Sequence, residues 1–354
     1  MNKNILAIAI AAATFGTQAV AVELYNNDGT TFSVGGHVSV NLNGSDEGNT
    51  DVGTNSPRIN MTATQDMGNG FTVDARGEWA LNYLTNGGNS FSTRLGYIGL
   101  THEDMGRAVV GTQWAPYYDV AGVTDMPIAF ANDFLYSDAT IELAEDDFAK
   151  TGQTRADQMI SYRNGFEFGE AGALDFGLAW QGKHEAKDAN ENVTTTYNDR
   201  VQVSLAYSIM GAQLGYAYNT GDVDNMVDNK RSLDYHVVSA KYGSYGNGLY
   251  LAGVYQMTED KNVRDVDSYE VIAAYALPNS LNFSINYENV EDKLKSDNSK
   301  DTTREEVALQ VEYNFTSNVV GYTGYQFDLN DSTDREGAKR KEDNAWTIGA
   351  RFYL

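Results

Sequence analysis

Side chains able to do covalent chemistry are scarce in this 354-residue chain. It has no cysteine, which removes thiolate nucleophiles and cysteine-based metal centres. Its four histidines are His37, His102, His184 and His236, and none has a serine and an acid at a recognisable spacing. Asp222-Val223-Asp224 with Asp228, and the Asp-rich stretch 291–301, are acidic but lack the spacing and glycine of a calcium loop. They read as solvated loops. No catalytic residue, metal or cofactor is therefore expected. What remains is charge arranged in a pattern. Arg58, Arg76, Arg94 and Arg155 each fall on the polar side of an alternating apolar–polar stretch. Between Arg94 and Arg155 lies a segment that carries Asp119, Asp125, Asp133 and Asp138. Cations on a wall facing acids on a loop set up a field across the space between them. Such a field sorts ions and orients polar solutes without making or breaking a bond. Arg76 has near partners in Asp74 and Glu78, so an ordinary ion pair is expected there, whereas Arg58 and Arg94 read as a cluster.

The elements that must hold these residues repeat with period two. Phe32, Val34, Val38, Val40 and Leu42 alternate with Thr31, Ser33, His37, Ser39 and Asn41, which puts the two sets on opposite faces of a strand. Leu281, Phe283, Ile285 and Tyr287 do the same against Asn282, Ser284, Asn286 and Glu288. Stretches of this kind fall at 31–42, 57–65, 71–82, 94–101, 107–114, 155–163, 173–181, 199–208, 212–219, 232–242, 248–257, 267–276, 281–290, 304–315, 319–329 and 344–354. The pattern is weakest at 107–114 and 232–242. Sixteen is an even number, as a barrel with both termini on one side requires. Long connections alternate with short turns such as Asp66-Met67-Gly68-Asn69-Gly70 and Thr316-Ser317-Asn318. Soluble sandwiches and lipocalin-like barrels also alternate, but with fewer strands and an apolar interior. Here the second face carries Arg, Glu, Asn and Thr. The expected fold is all-β: a 16-stranded antiparallel transmembrane barrel with a wet interior.

Composition agrees. The mean hydropathy of −0.44 leaves no room for a helical span, yet the chain holds 23 Tyr, 14 Phe and 4 Trp. A transmembrane barrel reconciles the two, because only alternate strand residues meet lipid while aromatic rings gather at the interfaces. Residues 1–21 run from a charged start through the apolar Ile5–Phe15 to Ala19-Val20-Ala21. They read as a cleaved signal peptide, too short to span a bilayer. The mature domain is then 22–354, with a net charge of −25 (−24 less the single Lys3). Such acidity excludes nucleic acid as a partner, since phosphate binding needs clustered cations.

One connection stands apart. Pro116–Lys150 is far longer than the about 12–15 residues beyond which loops are usually functional or disordered. It combines Tyr117, Tyr118, Met126, Ile128, Phe130, Phe134 and Phe148 with its acids. A segment both apolar and acidic can fold into a barrel and narrow it, or lie over the mouth as a surface lid; the pattern alone leaves both open.

At this point the sequence resembles the general diffusion porins of Gram-negative outer membranes. The carriers of the resemblance are Glu23-Leu24-Tyr25-Asn26-Asn27-Asp28-Gly29, Ser92-Thr93-Arg94-Leu95-Gly96-Tyr97-Ile98-Gly99-Leu100, Gly122-Val123-Thr124-Asp125-Met126-Pro127, Tyr162-Arg163-Asn164 and Leu174-Asp175-Phe176. It extends over the whole mature chain and is strongest from 22 to 182. It implies a homotrimer of 16-stranded barrels, each with its long third loop folded inside. It also implies that Arg58, Arg94 and Arg155 form a basic wall and that Asp125 is a constriction acid. Three departures stand out. The family's lysine on the first strand matches His37. Its second loop acid matches Ala129, with Asp133 or Asp138 as substitutes. The chain ends in Leu354 where the family usually ends in Phe.

The expectation is a non-specific, cation-preferring outer-membrane channel for ions and small hydrophilic solutes, surrounded by outer-membrane lipid and lipopolysaccharide. A substrate-specific channel, for sugars for example, would need an aromatic track on the lumen face, for which Tyr235, Tyr250 and Tyr322 are the candidates. A structural or adhesive barrel would instead have a plugged lumen.

Overall fold

In the computed structural model, residues 21–84, 90–130, 148–188, 190–225, 229–261, 263–334 and 337–354 are described. Among them, nineteen strand segments form one antiparallel sheet. The first part of the chain supplies β1 (Val22–Asn27), β2 (Thr30–Ser45), β3 (Asp51–Gly53), β4 (Arg58–Gly68), β5 (Phe71–Leu81), β6 (Phe91–His102) and β7 (Gly106–Trp114). After the long loop come β8 (Arg155–Glu167), β9 (Ala173–Gln181), β10 (His184–Lys187), β11 (Val193–Ile209), β12 (Ala212–Asn225), β13 (Asn229–Ser244) and β14 (Asn247–Asp260). The last are β15 (Arg264–Ala276), β16 (Leu281–Leu294), β17 (Lys300–Asn314), β18 (Val319–Asp328) and β19 (Ala345–Tyr353).

Sixteen of these make the wall, and the three short ones, β1, β3 and β10, extend it. The sheet closes where β19 pairs with β2, from Ala345↔Ser45 to Tyr353↔His37. Closure removes the unpaired edges that a lipid environment would penalise. β1 continues past the end of β19 along the same side of β2, from Val22↔Val34 to Asn27↔Thr30. The Leu354 amide donates to the Gly36 carbonyl at 3.0 Å between them. The closing position beside β2 is thus filled by β19 and β1 in succession.

All sixteen expected stretches lie on wall strands, but several strands run further. The stretch 199–208 becomes Val193–Ile209, and 232–242 becomes Asn229–Ser244. The extra residues are mostly polar. Hydropathy alternates only where one face meets lipid, whereas backbone pairing continues above it, as far as Asn225↔Asn229.

Burial is inverted relative to a soluble protein. On β11, Val201, Val203 and Leu205 are 51%, 38% and 43% exposed, while Arg200, Gln202 and Ser204 between them are buried. The apolar face points outward to lipid and the polar face inward. Among the described residues no helix is long and apolar enough to cross a membrane; the strands do the crossing. The two weak stretches have separate causes. On β7 the register against β8 shifts between Gly111 and Gln113, which breaks the parity. On β13, Leu233, Tyr235 and Val237 are buried on the inner face while Ser232, Asp234 and His236 alternate with them, so the usual apolar-out parity is reversed over that stretch. The reason is the loop that packs against them.

Candidate functional site

The long loop leaves the wall after Trp114. Ala115 ties the start of the loop to its end by donating its amide to Thr154 O, and the Tyr118 amide closes the first turn on Ala115 O. A single turn, α1 (Tyr118–Ala121), then packs its apolar side onto the wall. Val120, Ala121 and Val123 are buried in one cluster with Ala217, Leu233, Tyr235, Val237 and Tyr250. Burying each valine contributes about 1.5–3 kcal/mol. Polar anchors fix the direction. The Tyr117 hydroxyl donates to Gln256 Oε1 (2.8 Å), and the Tyr250 hydroxyl donates to the Val123 carbonyl (2.5 Å). Further along, the Ile128 amide donates to Glu312 (3.1 Å), the Ala129 amide to Gln310 (2.7 Å), and Asn286 Nδ2 to the Phe130 carbonyl (2.7 Å).

The described first half of the loop therefore runs across the lumen from β7 to β16 and β17. Its return, α2 (Phe148–Thr151) and Gly152, is held by Gln202 and Asn219, which donate to the carbonyls of Gly152 and Thr151 at 2.7 Å each. Gly152 sits at φ +68°, and a β-carbon there would collide with the Gln202 amide. Of the two readings left open by the sequence, the described residues take the inward one.

Opposite this loop the predicted arginines converge. Glu78, buried on β5, faces Arg76 Nη2 at 2.9 Å, Arg94 Nε at 3.0 Å and Arg58 Nη1 at 3.8 Å. The expected pair for Arg76 is thus with Glu78; Asp74 is taken by Arg107 in a two-pronged contact at 2.5 and 2.9 Å. A register shift between Glu78 and Trp79 accompanies this arrangement. Arg155 lies 5.6 Å from the centre of the Trp114 ring, which itself stacks on Tyr118. His37 is buried, edge-on to Tyr353 at 5.6 Å.

On the loop side, the Asp125 carboxylate accepts a hydrogen bond from the Tyr118 hydroxyl, and Arg58, Arg94 and Arg155 lie within electrostatic reach of it. Asp119 has a different neighbour: it is bound by Arg163 Nε at 2.6 Å, which ties α1 to β8. Asp133 and Asp138 lie outside the described residues.

Sequence reasoning missed Arg351 as a member of the basic group. It donates to Asn55 Oδ1 at 3.1 Å and stands close to His37 and Arg58. The signal was present, because Arg351 alternates with Ala350 and Phe352 on the last strand. It also missed Glu312, Gln310 and Gln256 as loop anchors. Nothing in their own strands distinguishes them from other polar lumen residues.

A closed barrel of sixteen wall strands, crossed inside by a loop that faces a cluster of arginines, is the arrangement of a channel. Residues 6–334 match the family described as Gram-negative porin. The chain belongs to that family. This porin is 28% identical over 372 residues to outer membrane protein F of Serratia marcescens, covering 94% of each chain. It is 28% identical over 353 residues to outer membrane protein U of Vibrio parahaemolyticus, covering 95% of this chain and 93% of that one. Among solved structures, the Salmonella typhi OmpF complex with daunomycin matches 94% of this chain and 100% of its own at a TM-score of 0.76 and 21% identity. The anion-selective porin from Comamonas acidovorans matches 92% and 100% at 0.70 and 15%. At those identities the structures speak for the fold alone. Family, relatives and barrel together make this porin a multi-pass protein of the outer membrane, related to channels and not to enzymes.

Proposed function

We propose that this porin is a non-specific passive pore for ions and small hydrophilic solutes, with a preference for cations, working as a homotrimer. The observation that carries the pore reading is the position of Asp125. It sits on a loop that crosses the lumen, within electrostatic reach of Arg58 and Arg94 on the wall and of Arg155 at the loop's base. A transverse field at a narrowing orders water and dipolar solutes and disfavours apolar ones. The cation preference is supported by the net charge and by the offset of wall cations: Glu78 faces three arginines, Asp74 holds Arg107 and Asp119 holds Arg163. Asp133 and Asp138, on the same loop, are proposed to add to it.

Trimer formation is supported by the outer faces of β2 to β7. From Val22 to Ala149 the sequence has no lysine, and its four arginines, Arg58, Arg76, Arg94 and Arg107, all face acids across the lumen side. That sector suits protein contact. Lysines return on the rim of β12 to β17, where Lys230, Lys261, Lys295 and Lys300 pair with acids and can also meet lipopolysaccharide phosphates. Residues 1–21 are proposed to be removed on export.

A sugar-specific track is not favoured. Tyr235 and Tyr250 do face inward, as does buried Tyr322, but the first two are covered by the loop they anchor. The test is the reversal potential in a planar bilayer under a KCl gradient, for the wild type and Asp125→Asn. A cation-favouring potential that shrinks in the variant supports the reading. Absence of conductance sinks the pore, and an unchanged potential removes Asp125 from the selective region.

A further inference from the structure

The arginine cluster has a second side, formed by a piece of backbone and not by an acid. β2 pairs with β4 only as far as His37↔Arg58 and with β3 only from Asn41↔Gly53. Between these two pairings the chain from Thr54 to Pro57 leaves the plane of the wall and turns onto the inner face. The Asn55 amide donates to Ser39 Oγ (2.8 Å), and Ser39 is a buried lumen-side residue. The slot vacated in the wall is taken by Tyr83, whose hydroxyl bonds both the Ser39 amide (2.9 Å) and its carbonyl.

The inturned pair, Asn55 and Ser56, presents only acceptors to the cluster. Ser56 O accepts from Arg58 Nε (3.1 Å), Ser56 Oγ from Arg58 Nη2 (2.9 Å) and from Arg94 Nη1 (3.4 Å). Asn55 O and Oδ1 accept from Arg351 Nη2 at 3.3 and 3.1 Å. Ser56 adopts φ +46°, a left-handed conformation uncommon for a residue that is neither glycine nor asparagine. That conformation aims its carbonyl and hydroxyl at the same guanidinium.

Four guanidiniums, Arg58, Arg76, Arg94 and Arg351, are confined together and repel, and Glu78 supplies a single negative charge among them. Neutral, fixed acceptors on the opposite flank are what hold the remaining guanidiniums in place. We infer that Asn55 and Ser56 are positioning residues that clasp Arg58, Arg94 and Arg351 and so set the ion preference of the pore. Without the clasp the arginine heads swing from the wall toward the open lumen and favour chloride. This inference rests on the arginine-wall reading above.

The experiment compares Ser56→Gly, Ser56→Asn and Arg58→Gln in the mature trimer, by reversal potential under a KCl gradient at low salt. Glycine keeps the left-handed backbone and loses the hydroxyl; asparagine tolerates that backbone and restores an acceptor. The expected result is a fall in the potassium-to-chloride permeability ratio of about two-fold in Ser56→Gly, with noisier open-channel current, and recovery in Ser56→Asn. Heat-resistant trimers on gels establish that each variant is assembled. If Arg58→Gln changes the ratio while Ser56→Gly matches the wild type, the clasp is wrong and the wall stands. If assembled Arg58→Gln also leaves the ratio unchanged, the wall reading fails and the clasp falls with it.

Discussion

Replacing Glu78 by glutamine removes one negative charge at the centre of the arginine cluster and almost nothing else. The shape is kept, and the amide oxygen can still accept from Arg76, 2.9 Å away, or Arg94, 3.0 Å away. Taking an ion to pass about 8 Å from the lost charge through water, the change in its energy is about 0.5 kcal/mol. Screening at 0.1 M salt, with a Debye length of about 10 Å, halves this to roughly 0.25 kcal/mol. Potassium is raised and chloride lowered by that amount, so the permeability ratio falls by about 0.5 kcal/mol, or slightly more than two-fold. At 1 M the Debye length is only about 3 Å and the effect should nearly vanish. The assay is reversal potential in planar bilayers at both salt concentrations, with trimer heat resistance as a folding control. Assembled Glu78→Gln channels with an unchanged ratio at 0.1 M would refute the claim that this cluster lies beside the ion path. A ratio that shifts equally at 1 M would refute the electrostatic account of it.

Other consequences follow from particular contacts. Tyr250→Phe removes the hydroxyl that bonds the Val123 carbonyl, a loss of about 1 kcal/mol, so the loop should fluctuate more and single-channel current should become noisier with little change in mean conductance. Gly152→Val places a branched side chain at φ +68° against Gln202; it should lower the temperature at which trimers dissociate on heated gels, by the about 1–3 kcal/mol typical of such strain. Ala75→Arg puts a cation on the exposed face of β5, and if that face meets a second copy, light scattering in detergent should report monomers where the wild type gives trimers. The Asp343 carboxylate accepts from the Glu47 amide (2.9 Å) and the Ser45 hydroxyl (3.0 Å), contacts that hold its carboxyl below the usual aspartate range. A depressed value stabilises above the unfolded pKa and is lost as pH falls through the folded one. Protease protection of the segments 46–50 and 337–344, which these contacts join, should therefore be constant from neutral to mildly acid pH and decline only below the ordinary aspartate range.

What the residue order determined unaided was the wall. Period-two alternation reports which side of a strand meets lipid, and that is a local property: Val201, Val203 and Leu205 needed no partner to be read as one face. The arginines followed from the same parity, since a cation cannot face hydrocarbon cheaply. Only the tertiary structure decided what those arginines meet. Glu78 lies on the strand between Arg58 and Arg94 and serves three cations because a register shift beside it turns Arg94 toward it. No periodicity encodes that. The same holds for the loop. Its apolar and acidic content left a lid and an inward fold equally open, and the choice rests on Leu233, Tyr235 and Val237, which make the inner face of β13 apolar where a lumen should be polar. In the sequence that surplus only blurred the alternation of one strand. It became a docking surface when the closed sheet set it opposite Val120 and Val123, about a hundred residues earlier in the chain. Side chains that act across a lumen are brought together by closure of the barrel, and closure is a property of all sixteen wall strands at once.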